Sequence, residues 1–203
     1  MTVFEAIKTR RSVRKFKDTP IHEDIIHELL ESARLSPTGG NSQNHVFGVV
    51  QDRLLKNQLA KAAGNQMWIA TAPIVFACCA DISWDIAEQP KDDFGLIVNY
   101  LRFGADFFNS MKGYPDRRAF RKLHHNGTPA MAMAHILLTA ASHGLSGCPI
   151  GYLDVDMASE ILNLPERLAC LFLLPIGYAD ETPADKELIS INEIAFYDKW
   201  DSH

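Results

Sequence analysis

A chain of 203 residues, 47% apolar and 22% charged, has the material for one real core and suits one domain better than two. A formal net charge of −5 removes any global electrostatic argument for nucleic acid or an anionic membrane as partner. The start, MTVFEAIKTRR, lacks the apolar run of a signal peptide, and four cysteines without framework spacing suit buried free thiols in a reducing, cytoplasmic setting.

Residues 3–9 read as a short helix with Val3, Ala6 and Ile7 on one side, and 11–16, RSVRKF, as extended backbone. Charge is concentrated here: Lys8, Arg10, Arg11, Arg14, Lys15 and Lys17 stand against Glu5 alone. An extended RRSVRKF puts Ser12 and Arg14 on one side with Arg10 nearby. Such a convergence suits a phosphate, because guanidinium offers paired donors to its oxygens. A solvated basic face is the plainer reading of the same residues.

The segment 22–35 has helical spacing in Ile25, Ile26, Leu29, Leu30 and Ala33 and ends at Ser36-Pro37. Its HEDIIH is no zinc motif, since His22 and His27 fall about 140° apart on a helix. SPTGGNSQNHVF (36–47) follows, crowding uncharged hydrogen-bonding side chains into a connection that ordinarily needs about two to six residues. With Gly39 and Gly40 allowing close backbone approach, it suits a flat, polar-edged heterocycle, or is simply a rich surface loop.

VFGVV (46–50) predicts a strand, 52–63 an amphipathic helix closed by Gly64, and PIVFACCA (73–80) a fully apolar strand with Cys78 and Cys79 on opposite faces. GNQMW (64–68) brings an amide pair just before that strand. Residues 93–111 return to helical period with much aromatic content, and His124-His125 reads as a surface pair on a loop. The run 128–143 is a helix buried in a core or subunit interface rather than a membrane span. GLSGC lacks the spacing of a nucleophile elbow, and no Walker or G-x-G-x-x-G sequence occurs. GCPIGY is a small-residue turn able to face a backbone N–H toward a ligand, a helix capped by Asp154 or Asp156 runs to Leu162, and LACLFLLPIGY (168–178) is another apolar strand. Strands buried on both faces and separated by helices imply a layered α/β sheet in one domain, residues 1–203.

Taken in order, RRSVRKF, SPTGGNSQNHVF, GNQMW with IATAPIVFACCAD, GLSGCPIGYLD and LPIGYADETPADK make the chain resemble the FMN-dependent nitroreductase family over nearly its full length. The resemblance implies an α+β fold, an α/β/α sandwich with a central mixed sheet, in a homodimer that shares its flavin sites and extends its tail from about residue 181 onto the partner. By similarity, Arg10, Ser12 and Arg14, with Arg11 beside them, would hold the phosphate and ribityl chain of FMN, and Lys186 would add a second charge. Gln66 or Asn65 would contact the polar ring edge, and the backbone of Pro149, Ile150 and Gly151 would face N5. Pro37, Thr38 and Gly39, supported by Asn41 and Gln43, would reach the flavin bound mainly by the partner. The sequence departs from the pattern at Asn44 and His45, where the family often has proline and an aromatic.

The implied activity is ping-pong hydride transfer from NADH or NADPH through FMN to a nitroaromatic, quinone, flavin or activated alkene, with region 93–121 shaping the choice and no metal, nucleic acid or membrane involved. No side chain is assigned a general-acid role. Two other readings remain open at this level: a same-fold enzyme that consumes its flavin or dehalogenates, and a non-redox flavin-binding or dimerisation module.

Overall fold

The computed structural model describes residues 1–85 and 88–200; the last three residues of the domain read from the sequence, 201–203, lie outside the described residues. Helices α1 (Val3–Thr9), α2 (Glu23–Arg34), α3 (Arg53–Ala62), α4 (Phe94–Lys112), α5 (Arg117–His125), α6 (Gly127–Ser142), α7 (Val155–Ile161) and α8 (Ile191–Ile194) surround strands β1 (His45–Val50), β2 (Ile74–Asp81), β3 (Ser146–Gly147) and β4 (Leu168–Gly177). The sheet order is β1-β2-β4-β3. All three pairings are antiparallel, and the mixed character rests on one parallel bridge between Ser12 and Gly147.

β2 shows why the sheet sits between two helical layers. Ile74, Phe76 and Cys78 face a cluster with Leu29 of α2 and Ile136 of α6. Val75, Ala77 and Cys79 face the other way, into a cluster with Leu59 of α3 and Ala158 of α7. A strand with no polar face has to be covered twice, and each buried Phe or Leu contributes about 1.5–3 kcal/mol. The result is the α+β sandwich expected from the motifs. The four cysteines are free and buried, with burial pushing the Cys78 thiol up.

Local signals set the helix ends. Thr2 and Glu5 form a reciprocal capping box on α1, Asp52 accepts from the Leu55 N–H at 2.8 Å to start α3, and Asp154, not Asp156, caps α7. Asp156 instead ties two helices together, accepting from Lys122 and Arg118 of α5.

Two elements differ from the sequence expectation. α4 is one helical stretch only in name: Gly104 sits at φ 78°, ψ 176°, a conformation that side-chain-bearing residues avoid, and breaks it. The histidine pair lies in the last turn of α5 rather than on a loop. That helix escapes pattern reading because Phe120 is its one buried residue, its remaining apolar positions being too few to set a period. α6 buries Ala132, Ile136 and Ala140 and leaves Met131 and Ala134 exposed on the single chain.

The α5–α7 link predicts acid sensitivity. The Lys122 ammonium first, and Arg118 with it, hold the Asp156 carboxyl below its usual value despite some loss of water. A group depressed in the folded state stabilises above its unfolded pKa, and that stability is lost as pH falls through the folded value. The urea midpoint is therefore expected to drop as pH is lowered from about 3.8, and Asp156→Asn to remove part of that drop. Asp156 is more than half exposed, so screening keeps its share below about 1 kcal/mol. An unchanged pH profile in the variant would assign the acid loss to other carboxyls.

Candidate functional site

Two cavities take in some of the residues singled out in the sequence: Arg10, Arg11 and Lys186 line one, Gly39 and Gln43 the other. The first, about 1250 Å³, is lined by the end of α1 with Arg10 and Arg11, by Ala134, Leu137 and Leu138 of α6, and by Asp185 and Lys186 of the late polar segment. The helix α1 ends at Thr9 because the chain turns extended at Arg10 (φ −54°, ψ 130°), which carries the basic run out of the helix and across the sheet edge. There Val13 and Phe16 turn inward and are buried, leaving Arg14 exposed. Arg11 donates to Asp185 at 3.0 Å, whereas Arg10 and Lys186 have no ion-pair partner among the described residues. Lys186 titrates below the ordinary lysine value, through loss of water and then through repulsion by Arg10 and Arg11. Four cations, Lys8 among them, and one exposed carboxylate leave net positive charge at this cavity, the balance an anion would complete.

Ser12 and Arg14 do not line that cavity. Ser12 is held by its bridge to Gly147, a position where a Cβ would approach the Pro175 carbonyl to 2.8 Å, so glycine there lets β3 lie this close to β4. The Arg14 guanidinium lies 5.9 Å from the Trp68 ring centroid, and its backbone N–H donates to Glu181. This stacking brings the 65–68 segment to the basic run. There Asn65 adopts φ 61° and Gln66 donates through Nε2 to the Ala63 carbonyl, which leaves its side-chain oxygen available. Just beyond Gly147, the Ile150 N–H is taken by the Leu173 carbonyl at 2.9 Å and Pro149 has none to offer. The N–H available from this turn is that of exposed Gly151, which has no acceptor among the described residues.

The loop containing Pro37, Thr38, Gly39, Asn41 and Gln43 is elsewhere. It is held tight by its own bonds: Thr38 accepts from the Gln43 N–H at 3.1 Å, and a 3-10 turn covers Gly39–Asn41. Gly40, Asn41 and Gln43 all have positive φ. The loop lines a second cavity, about 1020 Å³, together with Trp84, the start of α4 from Phe94 to Arg102, His124 and His125. An Asp81–Arg167 ion pair borders it. A stack of Trp84, His124 and Phe120 forms part of its wall, with centroids 5.8 and 5.7 Å apart. Removal from water, then the neighbouring His125, lowers the pKa of His124. One chain thus presents the basic run and the polar loop as two separate half-walls.

Asn44, Trp84, His124 and His125 were not among the candidates read from the sequence. Asn44 stood out only as a departure from a pattern, and no spacing links it to a histidine eighty-one positions away. Among the described residues no cluster of metal-ligating side chains exists, and no helix is long and apolar enough to cross a membrane.

Comparison with known proteins gives this geometry a context. Residues 7–178 match the model of the nitroreductase family. The chain is 27% identical over 179 residues to the NADH dehydrogenase of Thermus thermophilus, covering 85% of this chain and 84% of that protein. It is 27% identical over 188 residues to the NAD(P)H-dependent FMN reductase of Bacillus subtilis, with 91% and 68% covered. A crystal structure of a nitroreductase family protein from Clostridium difficile superposes with a TM-score of 0.73 at 25% identity, covering 98% of this chain and 100% of that one.

Proposed function

The chain belongs to the nitroreductase family, and from that membership we propose that it is an FMN-dependent oxidoreductase reduced by NADH or NADPH. The names of its relatives, an FMN reductase and an NADH dehydrogenase among them, support the cofactor and the reductant. The observation that carries the reading within this chain is the meeting of Arg10, Arg11 and Lys186 at one cavity with uncompensated positive charge.

Arg10 and Lys186, with Arg11 already half-engaged by Asp185, bind the phosphate end of FMN. Ser12 and Arg14 continue the same edge toward the ribityl chain, and Gln66, or Asn65 beside it, offers its amide to the polar ring edge. The free Gly151 N–H orients the N5 side. When bound, FMN supplies two-electron hydride transfer, from the nicotinamide to a nitroaromatic, quinone or similar small acceptor in ping-pong order. No side chain of this chain is assigned a proton-transfer role.

The same reading makes the active form a homodimer. The half-wall of residues 37–43 would then complete the partner's site, and the second cavity, with the N-terminal half of α4 and the end of α5, would admit the acceptor. Support comes from the tail, where Leu188, Ile191, Phe196, Tyr197 and Trp200 are all exposed, as are Val3 and Phe4 of α1. So many large apolar side chains left in water mark a surface that another protein surface covers.

The test is the visible absorption spectrum of the purified protein, before and after anaerobic addition of NADH or NADPH. Flavin bands that bleach with either nucleotide are expected. A protein that is colourless and takes up no added FMN would overturn the proposal.

A further inference from the structure

A chain of hydrogen bonds leaves the polar loop and crosses the second cavity. Ser42 Oγ donates to Asn44 Oδ1 at 3.1 Å, Asn44 Nδ2 lies 3.1 Å from His125 Nδ1, and His125 Nε2 lies 3.0 Å from the Trp84 carbonyl oxygen. A carbonyl can only accept, so Nε2 carries a proton; in the neutral ring Nδ1 is then an acceptor, and the Asn44 amide N–H fills it. One tautomer satisfies all three bonds. They join segments far apart in sequence: the loop, the residue three beyond β2, and the last turn of α5.

The loop needs such an anchor. Asn41 and Gln43 hold φ of 55° and 49°, conformations that strain residues with a side chain and persist only where the surroundings over-determine them. The bonds at Thr38 and in the 3-10 turn are internal to the loop and do not fix it to the body. At position 44 the backbone carbonyl accepts from the Asp81 N–H at 2.8 Å, tying the loop to the sheet, and the side chain ties it to α5. α5 is itself fixed there by the Trp84–His124–Phe120 stack.

We propose that Asn44 and His125 form a positioning pair that locks the flavin-facing loop to the acceptor-side wall, so that acceptor binding depends on a hydrogen bond between two residues neither of which touches the flavin phosphate. The pair rests on the FMN-oxidoreductase reading. Its action is geometric: with the loop fixed, the acceptor meets a preorganised wall, and without it the strained loop relaxes before the acceptor is bound.

The experiment uses the full-length, FMN-loaded protein with 1,4-benzoquinone as acceptor and whichever nicotinamide bleaches it. Asn44→Ala and His125→Ala are each expected to raise the KM for the quinone about tenfold, the size of one lost bond with its partner left unsatisfied, with kcat changed far less. The double variant is expected to be no worse than either single, since both remove the same bond. His125→Asn, whose amide oxygen falls at the place of Nδ1, is expected to recover most of the loss. Quinone KM values near wild type in both singles, or losses that add in the double, would overturn the pair. Nitrogen-15 spectra of the histidine rings test it without mutation: His125 as the neutral Nε2–H tautomer supports it, and the Nδ1–H tautomer overturns it. A wild-type protein that binds no FMN would sink the underlying reading, and the pair with it; a yellow, active wild type with indifferent variants would sink the pair alone.

Discussion

Replacing Arg10 by alanine is expected to weaken FMN binding about 10- to 100-fold, the effect of deleting one or two charge-assisted hydrogen bonds to a phosphate. Arg10 is chosen over its neighbours for a structural reason. Arg11 already donates to Asp185, and Arg14 is turned toward Trp68, while Arg10 has no ion-pair partner among the described residues and lines the same cavity as Lys186. The expected order of loss is therefore Arg10→Ala above Lys186→Ala, with Arg14→Ala smaller. Quenching of FMN fluorescence on titration with apoprotein measures it. Affinity for riboflavin, which lacks the phosphate, should hardly move between wild type and Arg10→Ala. If Arg10→Ala and Lys186→Ala both retain wild-type FMN affinity, the phosphate lies elsewhere on the chain.

The second large effect is one of stability. Asp85 has a side chain with no exposure at all, and its carboxylate receives Arg117 through both Nε, at 3.1 Å, and a terminal nitrogen, with Arg121 Nε 3.8 Å away. The Arg117 guanidinium also lies 4.5 Å from the centroid of the Phe120 ring. Asp85→Ala would leave the mostly buried Arg117 guanidinium without its anion and Arg121 with only Glu88, 3.9 Å away, and breaking such a buried pair costs about 3–5 kcal/mol. Since both arginines keep some contact with water, the lower end is expected. Equilibrium urea unfolding reads this directly. A loss under about 1 kcal/mol would show that the arginines find water or other acceptors when Asp85 is gone. Because α5 carries His124 and His125, the same variant should also loosen the wall of the second cavity, whereas Asp156→Asn, which removes only the more exposed tie from α7 to Arg118 and Lys122, should not.

The parts of the site that the sequence revealed are those written in consecutive residues. The basic run is visible because six positive side chains fall within seventeen positions, and the polar loop because its composition is wrong for a plain turn. β2 and β4 are visible because strands buried on both faces must be apolar, as LACLFLLPIG is throughout and IVFACCAD is up to its last residue, Asp81. What stayed hidden depends on tertiary contact. The bond between Asn44 and His125 leaves no periodicity, and α5 is held by ion pairs at Asp85 and Asp156 more than by an apolar stripe. Nor does composition tell that Ile150 spends its N–H on Leu173 and leaves the free donor to Gly151. The break in α4 had one sign, a glycine at 104, but the same residue within a helix is often merely tolerated.

The central pairing of the sheet has a consequence in time. β2 bonds to β4 along its whole length, yet roughly ninety residues separate them, so at ordinary rates of synthesis the ribosome needs about 5–20 s to deliver the partner strand. Through that interval β2, a strand apolar up to its last residue, waits with β1 on one side and nothing on the other. The nascent protein is then most vulnerable to misassociation, and a chaperone that binds extended apolar segments would find IVFACCAD its natural target.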